Sequence, residues 1–71
     1  MDGKELIERN FTYHAPKDLD QKVKYERLRL IGKTFAYEIN DSCPESREKS
    51  LAFTKLEEAV MWANAAIARN E

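Results

Sequence analysis

The side chains able to do chemistry are few and scattered. The 71 residues include one histidine, His14, and one cysteine, Cys43. They fall in segments of different character, and no Asp or Asn spacing links either to a nucleophile. Glu57 and Glu58 are adjacent, which aims them at different sides of a helix. Solvated or ion-pairing carboxylates are therefore favoured over an acid–base pair. His14 alone has a side chain that ordinarily titrates near neutrality, and an edge residue spending its ring on hydrogen bonds is favoured over a catalytic one. No glycine-rich phosphate loop, zinc ligand set or βαβ nucleotide unit occurs. The expectation is a protein that is not an enzyme, with no catalytic residue, no metal and no cofactor.

Binding chemistry has more to stand on. Between Lys17 and Lys33 lie six basic residues against Asp18, Asp20 and Glu26, so this segment carries +3 and the remainder −4, for −1 overall. A near-neutral whole argues against DNA or RNA as partner, since either needs a broad basic surface. A local basic patch suits a small phosphorylated ligand, and a solvated helix face explains it equally well. Just before it, Asn10–Pro16 reads NFTYHAP, with β-branched and aromatic residues ending in a proline that pushes Ala15 toward extended geometry. That segment presents Tyr13 and His14 on an extended arm.

The elements that must position these groups are helices. Residues 46–69 contain no Gly or Pro and are dense in Ala, Leu, Glu, Lys and Met. Such residues lose little rotamer freedom in a helix, so one helix of about 36 Å is expected, within bounds 44–69. At ~100° per residue, Ala52, Leu56, Ala59, Val60, Ala63, Ala66 and Ile67 share a stripe, whereas Leu51, Met61 and Trp62 lie off it. Asp18 followed by Gln21 caps a first long helix over 18–40. There Tyr25, Leu28, Ile31, Phe35, Ala36 and Ile39 share one face, and Leu19, Val23, Leu30 and Tyr37 the opposite one. Gly32, at the edge of the first face, costs about 1 kcal/mol relative to Ala, which close approach of another backbone would offset. Asp2 with Glu5 has capping-box spacing, so a short helix is expected over Gly3–Arg9 within an N-terminal arm of residues 1–17.

The connector Asp41–Glu45 is short, which makes the long helices antiparallel neighbours in one all-α hairpin domain over 1–71. Ser42 or Ser46 caps the second helix, and Pro44 suits its first turn. Two helices cover only one face of each other. The leftover apolar faces exceed what a monomer usually exposes, so a homo-oligomer is expected. No run reaches the ~18 apolar residues of a membrane span and no leader precedes a cleavage site, which points to the cytoplasm with no membrane partner.

Phe11-Thr12-Tyr13-His14 with Pro16, then Tyr25 and Arg29, then Ser46–Ala52 and Leu56–Asn64 together resemble the Acb/Tad hairpin family of small phage proteins, the anti-CBASS and anti-Thoeris sponges. The likeness runs from about Asn10 onward and is most specific in the final helix. It implies a helical-hairpin hexamer in the host cytoplasm that sequesters cyclic nucleotide immune signals without cleaving them. Cyclic dinucleotides are the implied partners, with cyclic trinucleotides at a separate site.

The resemblance also implies roles. Tyr13 matches an arm tyrosine that stacks on a base, though it could equally staple the arm to the hairpin. His14 stands beside it. Arg29 matches a basic residue facing phosphate, though pairing with Glu26 is an alternative. Arg47, Lys49 and Thr54 would line the second pocket, unless the two cations are only helix-surface charge. Trp62 reads as interface core. The alternative reading of the whole is a small helical adaptor docking on a host or phage protein through its exposed apolar stripe. A phosphodiesterase dependent on His14 is a weaker third, lacking a metal set or a base–nucleophile pair.

Overall fold

The computed structural model describes residues 2–71, which form three helices and, among the described residues, no strand: α1 (Gly3–Phe11), α2 (Leu19–Ser42) and α3 (Arg47–Asn70). Each starts at a side-chain cap. Asp2 accepts from the Glu5 amide at 2.8 Å, Asp18 from Gln21 at 2.9 Å and Ser46 from Lys49 at 3.1 Å, satisfying N–H groups that the first helical turn leaves without partners. Asp2 and Asp18 cap where the sequence put them, and of Ser42 and Ser46 it is Ser46 that caps α3, but the ends differ. α1 runs two residues past Arg9, and Asn10 and Phe11 belong to it. α2 takes in Asp41 and Ser42, leaving Cys43–Ser46 as the connector. Ser46 is the cap of α3, so Pro44 lies before that helix and not in its first turn.

Contacts down the hairpin establish its sense. Lys49 meets Asn40 at the connector, Val60 meets Gly32 midway, and Glu71 meets Lys24 at the far end, so one helix descends as the other rises. The inward positions of α2 are Gln21, Tyr25, Leu28, Gly32, Ala36 and Ile39, spaced by three or four residues. On α3, Ala52, Leu56, Val60, Ala63 and Ile67 answer them, and Ala59 and Ala66 stay exposed. Ile31 and Phe35, read as members of the inner face of α2, are more than half exposed, because a single partner helix covers a stripe narrower than the apolar arc. Gly32 permits the closest approach. It faces the Val60 side chain, where the sequence suggested a backbone.

The result is a slab of 45 × 30 × 14 Å. Its thickness is little more than that of one helix with side chains, ~10–12 Å, so a single copy has no interior. Ile39, at 8% exposure, is the one buried apolar side chain among the described residues. Leu19, Val23, Leu30, Tyr37, Met61 and Trp62 all face outward. Arg69 lies 5.8 Å over the Trp62 ring, a partial cover. No helix is long and apolar enough to cross a membrane among the described residues.

Lys49 closes the connector. It is 6% exposed, and its ammonium donates to the Asn40 carbonyl at 3.1 Å and to Glu45 Oε1 at 2.6 Å. Glu45 is itself open to water, so the carbonyl bond at the α2 C-terminus carries most of the gain. Lys49→Met should lower stability by about 1–2 kcal/mol, read from chemical denaturation, while leaving ligand affinity unchanged.

Candidate functional site

The arm between α1 and α2 is held by polar contacts at both ends. Thr12 is already extended, at φ −97° and ψ 137°, and Pro16 keeps Ala15 from turning back into a helix. At the α1 end, Arg9 donates to Asn70 Oδ1 at 2.7 Å, and His14 Nε2 donates to the Arg9 carbonyl at 2.8 Å. At the α2 end, Gln21, 4% exposed, accepts from the Lys17 amide at 2.9 Å, and the Lys17 ammonium donates to the Glu71 carbonyl. These bonds bring the arm alongside the end of α3. Tyr13 stands outward, 84% exposed, and takes no part in them. Its ring is therefore displayed and does not staple the arm.

Beside the arm lies a cleft of about 440 Å³. Tyr13, His14 and Pro16 form one wall. Lys22, Tyr25, Glu26 and Arg29 come from α2, and Asn64, Ala65 and Ala68 from α3. The α2 positions are spaced i, i+3, i+4, i+7, which places all four on one helix face. The small Ala65 and Ala68 leave the volume open. Two cations and one carboxylate make the lining net positive. Among the described residues, the Arg29 guanidinium forms neither a hydrogen bond nor an ion pair, so the pairing with Glu26 that the sequence allowed is not made. Two further polar atoms, Tyr25 Oη and Asn64 Oδ1, are closed to water and have no partner among the described residues.

Of the six candidate binding residues, Tyr13, His14 and Arg29 thus meet in one cleft, and Arg47, Lys49 and Thr54 do not join them. Thr54 precedes Asn64 by ten residues along α3, about 15 Å at the helical rise, and its hydroxyl donates to the Ser50 carbonyl at 3.2 Å. Arg47 is exposed at the first turn of α3. The Lys49 ammonium bonds within the connector, to the Asn40 carbonyl and Glu45, and lies apart from the cleft. Lys22, Tyr25, Glu26 and Asn64 are lining residues that were not put forward as site residues. The α2 spacing carried a signal for the first three. For Asn64 there was none, since its place depends on how α3 lies against α2.

An all-α hairpin with a displayed aromatic arm and an unpaired arginine is the setting in which the comparison with known families becomes decisive. The sequence profile of the Acb2/Tad1 hairpin domain matches residues 3–68. The chain belongs to that family. The Acb2/Tad1 match covers all of α1 and α2 and nearly all of α3, so the arm and both walls of the cleft fall inside it. Membership implies a cyclic-nucleotide sponge role. No curated protein and no solved structure is significantly similar to the chain.

Proposed function

We propose that the protein is a phage sponge that captures cyclic oligonucleotide messengers in the host cytoplasm without cleaving them, and so blunts antiphage signalling. The observation that carries this reading is Tyr13 displayed on one wall of a cleft whose other wall offers the unpaired Arg29. An aromatic face takes a nucleobase and a free guanidinium takes a phosphate, the two parts of a cyclic nucleotide. His14, anchored through Nε2, keeps Nδ1 for the ligand. The chemistry favours cyclic dinucleotides, whose two bases and two phosphates are related by a two-fold or near two-fold axis. A two-fold seam between copies would supply Tyr13 and Arg29 twice.

Self-assembly belongs to the same proposal. A 14 Å slab with apolar residues on its outer faces is stable as one layer of a larger body, and a hexamer is the number the family likeness implies. Cyclic trinucleotides at a second pocket with Arg47 and Thr54 would require a neighbouring copy, since those residues stand outside the cleft.

The exposed face of Leu19, Val23, Leu30 and Tyr37 favours one other reading, an adaptor docked on a host or phage protein. Native mass spectrometry with a mixture of cyclic dinucleotides and trinucleotides distinguishes the two. A sponge gives a defined oligomer carrying intact ligand in fixed ratio. A monomer or loose dimer that takes up no ligand supports the adaptor and overturns the sponge.

A further inference from the structure

Tyr13 is set between two anchors. Arg9 stands four residues before it and Lys17 four residues after, and both reach the end of α3. The Arg9 guanidinium donates to Asn70 Oδ1 at 2.7 Å, and the Lys17 ammonium donates to the carbonyl of the next residue, Glu71. Both acceptors are themselves held. The Asn70 NH₂ donates to the Ala66 carbonyl at 2.9 Å, which fixes the amide, and the Glu71 carboxylate accepts from Lys24 at 3.0 Å through both oxygens. The Glu71 N–H also donates to the Ile67 carbonyl at 3.1 Å, keeping the chain in helical register there. α1 buries none of its residues, so no core holds that end of the arm and the polar bonds must.

We infer that Asn70 and Glu71 are positioning residues for ligand capture: by pinning Arg9 and Lys17 they hold Tyr13 at the cleft before a ligand arrives. The inference rests on the cyclic-nucleotide reading and deepens it. Both acceptors lie beyond residue 68, where the Acb2/Tad1 match ends, so family membership does not supply the pin. An unpinned link between α1 and α2, residues 12–18, would sample many backbone conformations. Apparent affinity then falls in proportion to the fraction of molecules whose Tyr13 is in place, because the rest must order the arm as they bind. Exposed ion pairs and hydrogen bonds add little to global stability. Their effect here falls on the order of the arm, and so on binding.

The test unpins the arm of the full-length protein with Lys17→Met and Asn70→Leu together, and reads binding of cyclic di-adenosine monophosphate by calorimetry. Affinity should fall roughly tenfold, the change expected of an arm in place about one-tenth of the time. In a Tyr13→Ala background the same pair of changes should alter affinity by less than about twofold. That background separates a pin from a lost charge, since removing a cation near the phosphates weakens binding whether or not Tyr13 is present. Asn70→Asp, which keeps an oxygen for the guanidinium and adds charge, should bind within about threefold of wild type. NMR relaxation without ligand should show backbone order parameters over residues 12–17 falling from about 0.85 to below about 0.6 on unpinning. Native mass spectrometry should find the wild-type assembly in every variant. Wild-type affinity in the unpinned protein, an equal loss in both backgrounds, an arm that stays rigid or an altered assembly overturns the inference and leaves the sponge reading standing. Failure of wild type to bind this probe or any other cyclic nucleotide removes the reading beneath it, and the inference with it.

Discussion

Arg29→Ala should weaken capture of a cyclic dinucleotide by roughly 10²–10⁴-fold while leaving the fold intact. A hydrogen bond to a charged group is worth about 1.5–3 kcal/mol. If a two-fold seam supplies the guanidinium twice, the loss doubles to about 3–6 kcal/mol, which is the stated range at 1.4 kcal/mol per decade. The fold should survive because Arg29 has no partner to lose among the described residues, and its side chain is exposed. Arg29→Lys should recover part of the affinity, since a lysine keeps the charge but not the planar fork that grips phosphate at two points. Tyr13→Ala should act in the same direction through lost stacking of ~1–3 kcal/mol per base, and Tyr13→Phe should be nearly silent. Calorimetry against a cyclic dinucleotide measures all four. Unchanged affinity in Arg29→Ala would separate the cleft from phosphate recognition and leave the cationic strip as ordinary solvated surface.

Gly32→Ala should destabilise the protein although it replaces the poorer helix former by the best. On propensity alone the change gains about 1 kcal/mol. A Cβ at position 32, however, would sit 2.6 Å from Val60 Cγ2, far inside the ~3.5–4.0 Å optimum for two carbons. Val60 cannot swing aside cheaply, because a β-branched side chain in a helix keeps essentially one rotamer. The helices must part at the midpoint of the hairpin instead, and overpacking of this kind typically costs about 1–3 kcal/mol. Where the clash outweighs propensity, the melting temperature falls by several degrees, at roughly 4–8 °C per kcal/mol for a domain of this size. Val60→Ala combined with Gly32→Ala should restore stability beyond the sum of the single changes, a coupling that a double-mutant cycle reads directly. Protein concentration has to be matched across the set, since an assembling protein has a concentration-dependent melting point. Additive single effects would mean that the two residues do not meet. Arg29 lies within one turn of Gly32 on α2 and Tyr25 about two turns away, so parted helices should also loosen the cleft.

Much of this was legible residue by residue. Asp2 and Asp18 mark the first two helix starts, and Ser42 or Ser46 the third, because a short oxygen-bearing side chain at that position satisfies amides that nothing else can reach. The period of Leu56, Val60, Ala63 and Ile67 specifies the inner face of α3, and a connector as short as Asp41–Glu45 makes the long helices antiparallel neighbours. The arm was legible through Pro16, which forbids helix before it. These are local properties, and the chain carries them wherever it goes.

Lys49 and Asn64 were beyond local reading. On the sequence, Lys49 is one cation among several near the start of a helix. Only the hairpin brings the carbonyl of Asn40 within reach of its ammonium. Asn64 reads as a polar interruption in an alanine-rich run, and it becomes part of a cleft because α3 lies against α2 at the height where Tyr25 and Arg29 project. The sequence by itself determined the helices, their caps, the hairpin and the arm, since these follow from capping chemistry, periodicity and chain length. The tertiary structure alone decided which of the charged and polar side chains share a cleft and which are consumed in holding the turn. Those outcomes depend on distances between residues far apart in the chain, which no local pattern encodes.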